Sequence, residues 1–248
     1  MDELAGKLMR LPVRLWIIPR TFQLSVRKSN IEEIAGFPML DLRAPALTDS
    51  QRVVKRGVDL FLSLCSLPFF LPLGLLVGLL LRLESKGPVI FSHQRVGENG
   101  RLFDFYKFRT MSAGAESQVE FTHKVDDQGN FLHKIPNDPR VTRIGRFLRR
   151  FSLDEIPQLL NVIKGDMSLV GPRPEMPYLV EKYADWQRLR FTIPQGMTGW
   201  WQINGRSLRP MHLNTQDDLY YIQNYSIWLD FQILLRTFWI VIKGDGAF

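Results

Sequence analysis

The sequence predicts an α+β fold: a mainly helical, monotopic membrane domain with a re-entrant helix, a small β-hairpin and interfacial amphipathic helices. Three observations carry this. Residues 60–81, "LFLSLCSLPFFLPLGLLVGLLL", hold no charge and two prolines. A stretch of alternating polarity follows around the turn "GENG". Most of what remains reads as helices, ending in the amphipathic "SIWLDFQILLRTFWIVIK".

The uncharged run of about 22 residues would rise about 1.5 Å per residue, roughly the thickness of a bilayer core. A single spanning helix is the simplest reading. Pro68 and Pro72 oppose it, since each removes a backbone hydrogen bond and presses on the preceding turn. The flanks oppose it too. Lys55 and Arg56 precede the run, Arg82 and Lys86 follow it, and basic flanks are held on the cytoplasmic side. A helix over about 58–83 that breaks at Pro72, entering and leaving by one face, satisfies both facts. A straight span and a buried core helix are the alternatives.

Residues 1–50 read as a partial α/β segment, the remnant of an upstream soluble domain: "LPVRLWIIP" as a strand with a helix before it, "NIEEIAGFPMLDLR" as a short helix leading into another strand. Residues 51–248 form the main domain. In it, "PVIFSHQRVGENGRLFDFYKFRTM" is the hairpin. Residues 112–140 are polar and loop-like, and helices follow at roughly 142–151, 154–164, 175–189, 212–224 and 227–243. On the last, Trp228, Phe231, Leu235, Phe238 and Ile242 share one face. Such a stripe suits a core or a headgroup interface equally.

The formal charge of +7 over 248 residues points to polyanionic partners: nucleic acid, anionic lipid or phosphorylated substrates. Nucleic acid falls behind, because the basic residues are not interleaved with the aromatics that bind RNA. The single cysteine, Cys65, can form no internal disulfide, which suits a reducing compartment. No secretory signal opens the chain; Arg10, Arg14 and Arg20 interrupt its first residues. His93, His123, His133 and His212 are scattered without zinc-like spacing. There is no Walker loop and no dinucleotide fingerprint.

Chemistry gathers in "FSLDEIPQLLNVIKGDMSLVGPRP". Ile156, Leu159, Leu160 and Ile163 make a helical stripe, with Asp154 nearly opposite, so packing does not demand an acid there. A capping box of Ser152 with Glu155 is the bland reading. It would leave Pro157 inside the helix; a start near Asp154 puts Pro157 in the first turn, where its missing N–H is harmless. Asp154 and Glu155 then lie at the positive end of the dipole, which favours ionised carboxylates able to act as nucleophile, base or magnesium ligand. Arg173 stands between Pro172 and Pro174. An arginine on so restrained a backbone loses little entropy on gripping a phosphate, though a purely structural turn reads equally well. Arg143, Arg146, Arg149 and Arg150 form a solvated or headgroup-facing run with room for a phosphate ligand. Lys107 and Arg109 in "YKFRTM" point to one strand face and are costly to bury without an anion.

Together, "KRGVD", "YKFRTM", "SLDEIPQLLNVIKGDMSLVGPRP" and "TGWWQINGR" resemble, in order, the bacterial sugar transferases, the monotopic phosphoglycosyl transferases that load a sugar phosphate onto a polyprenyl carrier. The resemblance runs over residues 55–243. It implies that Asp154 attacks the β-phosphate of a UDP-hexose, releases UMP and carries hexose phosphate until undecaprenyl phosphate accepts it. It further implies that Glu155 helps bind Mg2+, with Asp154 beside it, or activates the lipid phosphate. Lys107, Arg109, Arg149, Arg173 and Arg206 would bind substrate, and Asp166 would support the site or the fold. The family's apolar helix breaks at a Ser-Pro pair; here the pair is Leu71-Pro72, so Ser66 or backbone packing must replace the missing hydroxyl. Residues 1–50 and the "WWQINGR" form resemble longer members acting on UDP-glucose or UDP-galactose in exopolysaccharide or O-antigen synthesis. The implied location is the bacterial inner membrane, catalytic domain facing the cytoplasm, with membrane lipid as a partner and a homodimer permitted. A non-catalytic membrane scaffold and a conventional glycosyltransferase releasing UDP are the rival readings.

Overall fold

The computed structural model describes residues 47–112, 114–115, 138–205 and 214–244, and the backbone of three strands before them. The chain divides into two units, Met1–Thr48 and Asp49–Phe248. In the first, β1 (Trp16–Ile17) and β2 (Ile31–Ile34) flank β3 (Phe37–Asp41), both antiparallel to it. The expected helix over "NIEEI" is therefore a strand: Ile31 pairs with Leu40 and Ile34 with Phe37. Four residues are too few to close a stable helix against a ladder that satisfies the same backbone groups. The helix expected before β1 lies outside the described residues.

The second unit opens with α1 (Asp49–Glu84), 36 residues with Pro68 and Pro72 inside. It is long and apolar enough to cross a membrane by length and composition. Its root is tied down by charge: Arg56 Nη2 donates to the Ile163 carbonyl at 2.8 Å, and the Leu169 N–H donates to Asp59 Oδ1 at 3.1 Å. Its far half packs by shape. Val77 and Leu81 join Phe108 and Leu148 in one buried cluster, with Leu73, Val89 and Ile156 against it. Between these anchorages, residues 68–72 are exposed all the way round. The Ser66 hydroxyl donates to the Ser63 carbonyl at 2.7 Å.

The hairpin forms where the alternation places it, β4 (Ile90–Val96) against β5 (Leu102–Phe108), in register from Ile90↔Phe108 to Val96↔Leu102. Phe103 and Phe105 bury with Val162 and Met167. Next come α2 (Arg143–Arg150), capped by Thr142 Oγ1, which accepts from the Gly145 N–H at 2.9 Å, and α3 (Gln158–Lys164). A side chain at Gly145 would lie 2.1 Å from the Thr110 carbonyl oxygen, so only glycine lets α2 lie against the end of the hairpin.

A parallel pair absent from the sequence-based expectation, β6 (Ser168–Val170) and β7 (Gly196–Thr198), crosses the middle of the unit. The single helix expected over 175–189 breaks into α4 (Pro177–Val180), α5 (Asp185–Arg188) and a 3-10 turn, Leu189–Thr192. The chain must turn there to return as β7, and α4 begins with a proline. After α6 (Trp200–Ile203) come α7 (Thr215–Gln223) and α8 (Ile227–Lys243). Ser226 caps α8 by accepting from the Leu229 N–H at 3.1 Å. α8 buries Leu229, Asp230 and Ile233, while Trp228, Phe231, Leu235, Phe238 and Ile242 stay exposed. The aromatic stripe is thus not core.

Candidate active site

The acid pair does not sit in the first turn of an α-helix. Ser152 adopts φ 53° and offers no side-chain cap, which removes the capping box. Leu153–Glu155 form a 3-10 turn, and α3 begins only after Pro157. Proline has no N–H to donate and cannot lie deeper in a helix without costing a bond, so the helix starts behind it. The two carboxylates therefore project from a tight, left-handed-entry turn rather than from a dipole end.

That turn is held over the hairpin by Asn161, fully buried on α3. Its Nδ2 donates to the Asp104 carbonyl at 2.6 Å and its Oδ1 accepts from the Tyr106 N–H at 3.2 Å. Pinned so, β5 delivers Lys107 to the acids: its Nζ lies 3.1 Å from Glu155 Oε1 and 4.0 Å from Asp154 Oδ2. From the other side, Arg173 Nη2 donates to Glu155 Oε1 at 2.6 Å. Arg173 arrives there because β6 and β7 approach too closely for side chains. The Gly171 N–H donates to the Thr198 carbonyl and the Gly196 N–H to the Pro172 carbonyl, each at 2.8 Å; a Cβ on Gly196 would fall 2.1 Å from the Gly171 nitrogen.

Burial alone would push the Glu155 carboxyl up, but Arg173 and Lys107 hold it well below the usual carboxylate range. Burial pushes Lys107 down, against the pull of Glu155. Burial likewise opposes the Arg173 charge, yet Glu155 keeps its pKa raised. Glu155 is thus an anion already paired with two cations. Asp154 is buried beside it. Arg149 donates from Nε to Thr110 Oγ1 at 2.9 Å, and burial lowers its pKa against the opposing pull of Asp154. Three cations thus surround two acids, leaving a local surplus for an anionic ligand.

A cavity of about 100 Å³ opens against this cluster, lined by Ser152, Glu155 and Arg173 on one side and by Thr198, Gln202 and Val241 among others on the far side. α8 contributes Thr237, Ile240 and Val241 to the lining, so apolar side chains border the cavity along with the charged ones.

Of the sequence-predicted residues, Asp154, Glu155, Lys107, Arg149 and Arg173 converge. Arg109 does not: it spends its guanidinium on the carbonyls of Leu81, Ser85 and Lys86, ending α1. Buried donors of that kind need acceptors, and the last turn of a helix has unpaired carbonyls to offer. Arg206 lies outside the described residues. Sequence reasoning missed Asn161, Arg95, Glu175 and Arg190, which hold the site from behind. Glu175 adjoins the Pro-Arg-Pro signal, but nothing local distinguishes Arg190.

Asp154 and Glu155 are of the right kind for a magnesium ion bound chiefly through substrate phosphates and water. Among the described residues no cluster of three or more His, Cys, Asp or Glu that could hold a metal occurs, so these two carboxylates are the ligands that the described part of the site offers.

Comparison with known proteins agrees with the geometry. The bacterial sugar transferase family matches over residues 50–244. The chain is 39% identical over 203 residues to the UDP-galactose-lipid carrier transferase of Erwinia amylovora, covering 80% of this chain and 42% of that protein. It is 38% identical over 252 residues to the UDP-glucose:undecaprenyl-phosphate glucose-1-phosphate transferase of Escherichia coli K12, covering 98% of this chain and 51% of the other. To the exopolysaccharide production protein ExoY of Rhizobium meliloti it is 36% identical over 200 residues, 79% of this chain and 88% of ExoY. The chain spans about half the length of the first two. On a match covering most of its length, with the acid pair and its arginine inside the matched region, the chain belongs to the bacterial sugar transferase family.

Proposed function

We propose that the protein transfers hexose 1-phosphate from a UDP-sugar, UDP-glucose or UDP-galactose, to undecaprenyl phosphate, as the first membrane step of exopolysaccharide or O-antigen synthesis. The observation that carries the proposal is the division of labour in the acid pair. Glu155 is bound by Lys107 and Arg173, while Asp154 lies on the same turn with Lys107 at 4.0 Å. Names of relatives support the substrates: those proteins act with UDP-glucose or UDP-galactose and a lipid carrier.

An Asp154 carboxylate oxygen attacks the β-phosphorus, which bears the hexose. The new aspartyl O–P bond forms as the bond from that phosphorus to the bridging oxygen breaks, and UMP leaves with the bridging oxygen and its electron pair. A phosphate oxygen of undecaprenyl phosphate then attacks the same phosphorus and expels the Asp154 carboxylate, giving the lipid diphosphate sugar. Arg173 and Lys107 hold the diphosphate against the acids, and Arg149 offsets the charge that builds on the leaving side. Mg2+, held by Asp154 and Glu155, would add charge neutralisation on the diphosphate.

The apolar elements fit the acceptor. In α1, both flanks of the exposed turn at 68–72 pack on one globular body. A helix that leaves and returns to the same face dips into a membrane without crossing it, and the two prolines lie in that turn. The exposed Trp228, Phe238 and Trp239 of α8 suit headgroup depth, and the basic residues flanking the apolar run, Lys55, Arg56, Arg82 and Lys86, support a domain on the cytoplasmic side of the inner membrane.

Intact-protein mass after incubation with magnesium and each UDP-hexose, without lipid acceptor, tests the reaction. A hexose-phosphate adduct on wild type and none on Asp154→Asn, with UMP released, is expected. With undecaprenyl phosphate then added, UDP in place of UMP would make the protein a conventional glycosyltransferase, and neither nucleotide would leave a scaffold.

A further inference from the structure

The arginine that meets Glu155 is held from behind by a buried cluster. Pro172 and Pro174 restrain the loop's φ angles but remove its own N–H donors, so the position of residues 173–175 depends on donors from elsewhere. Three successive carbonyls receive them from two elements, β4 and the Leu189–Thr192 turn. Arg190 Nη2 donates to the Arg173 carbonyl at 2.8 Å. Arg95 Nη1 donates to the Pro174 carbonyl at 3.3 Å. The Val96 N–H donates to the Glu175 carbonyl at 2.9 Å.

Arg190 is wholly buried, and its fork spans more than that one bond. Nη1 donates to Tyr183 Oη at 3.0 Å and lies 3.9 Å from Glu175 Oε2. Nη2 also lies 2.8 Å from Asp218 Oδ2, an ion-pair contact. Glu175, equally buried, accepts from Tyr183 Oη at 3.0 Å and from Arg95 at 3.5 Å. Two arginines, two carboxylates and a phenol thus close on the back of the loop whose front carries Arg173.

Stability does not explain such a cluster, because apolar residues of similar volume generally serve a fold as well as a buried ion network. Direction does. Each contact ends on the backbone that aims Arg173, or on a group that fixes one making such a contact. We propose that Arg190, braced by Glu175, is a positioning residue: it sets where the Arg173 guanidinium stands over the acid pair, and thereby how the donor diphosphate is gripped. This rests on the phosphosugar transfer proposed above. An arginine is needed because its planar fork reaches Arg173, Tyr183 and Asp218 together, whereas a lysine is a point charge that can serve one of them well. Displacing a phosphate-gripping group by about 1 Å is enough to cost on the order of 10²-fold in rate.

A double-mutant cycle on the full chain tests this: Arg190→Lys in wild type and in Arg173→Ala, read both by UMP release from UDP-glucose or UDP-galactose and by calorimetric affinity for UDP. If Arg190 works through Arg173, Arg190→Lys lowers kcat/KM by roughly 10–100-fold in wild type and by less than about 3-fold once Arg173 is gone. UDP affinity follows the same pattern. Equal losses in both backgrounds, or none in wild type, overturn the proposal, since a merely structural arginine acts regardless of residue 173. Tyr183→Phe keeps the buried ring and serves where Arg190→Lys fails to fold; its loss, roughly 3–10-fold, must also vanish with Arg173→Ala. A wild type that turns over no UDP-hexose sinks the reaction proposed above, and the UDP-affinity cycle then judges the cluster alone.

Discussion

Two of the domain's buried ion clusters are built from the same materials and put to different use. Glu155, bonded to Lys107, and Arg173 border a cavity. At the root of α1, Lys55 Nζ bonds Asp230 Oδ2 at 2.7 Å, and Tyr221 Oη donates to Asp230 Oδ1 at 2.6 Å. All three side chains of the second cluster are sealed, and its bonds join α1 to α7 and α8. Asp230 takes one donor from Lys55 and one from Tyr221, and none of the three lines the cavity. The first cluster carries a cationic surplus beside open space. Ion pairs alone therefore do not mark a site; an unbalanced pair that a ligand can reach does.

The comparison breaks most sharply at Asp154. Asp154→Asn is expected to lower UMP release by about 10⁴-fold or more while the melting temperature stays near that of wild type. A comparable loss of stability would put Asp154 in the sealed class. Next in size, Lys55→Met or Asp230→Leu alone should destabilise the domain by about 3–5 kcal/mol, because each strands a buried charge. The double variant should recover much of that, measured by denaturant unfolding in detergent. Additive losses would mean that the pair is not what holds α1.

Arg173→Ala reverses the pattern. It should cost kcat/KM about 10²–10³-fold, as loss of a charge-stabilising donor does, with little change in stability; a fall in stability matching that of Asp230→Leu would show the two clusters to be alike. The smallest effect is one of pH. Burial pushes the Asp218 carboxyl up to about 6 from 3.8, with Arg190 opposing. The folded state thus binds the proton more tightly than the unfolded, so this contribution is whole below pH 4 and is lost as pH rises through about 6. The stability of wild type relative to Asp218→Asn should fall by at most about 3 kcal/mol across that window and flatten above it. A flat difference throughout would mean that Asp218 is ionised in both states.

Local signals were legible. The hairpin announces itself by alternation around "GENG", α8 by its 3.6-residue stripe and Ser226, and the acid pair by its place before Pro157. Each rests on contacts within a few residues, which sequence spacing encodes directly. The site's five convergent side chains were identifiable by kind, since charged residues inside an apolar pattern require a partner.

Which partner was another matter. Arg109 and Lys107 share a strand face by parity, yet one ends on helix carbonyls and the other on Glu155. The parallel meeting of β6 and β7 spans a long gap in sequence, and with it came the break-up of the 175–189 helix and the burial of Arg190. No periodicity records such pairings, because they are settled by which surfaces close on one another once the chain has folded. The sequence by itself determined which residues have charge, shape and local conformation for the chemistry. Tertiary structure alone decided which of those charges would be balanced and buried, and which left facing a cavity, since neutrality and access depend on neighbours distant along the chain.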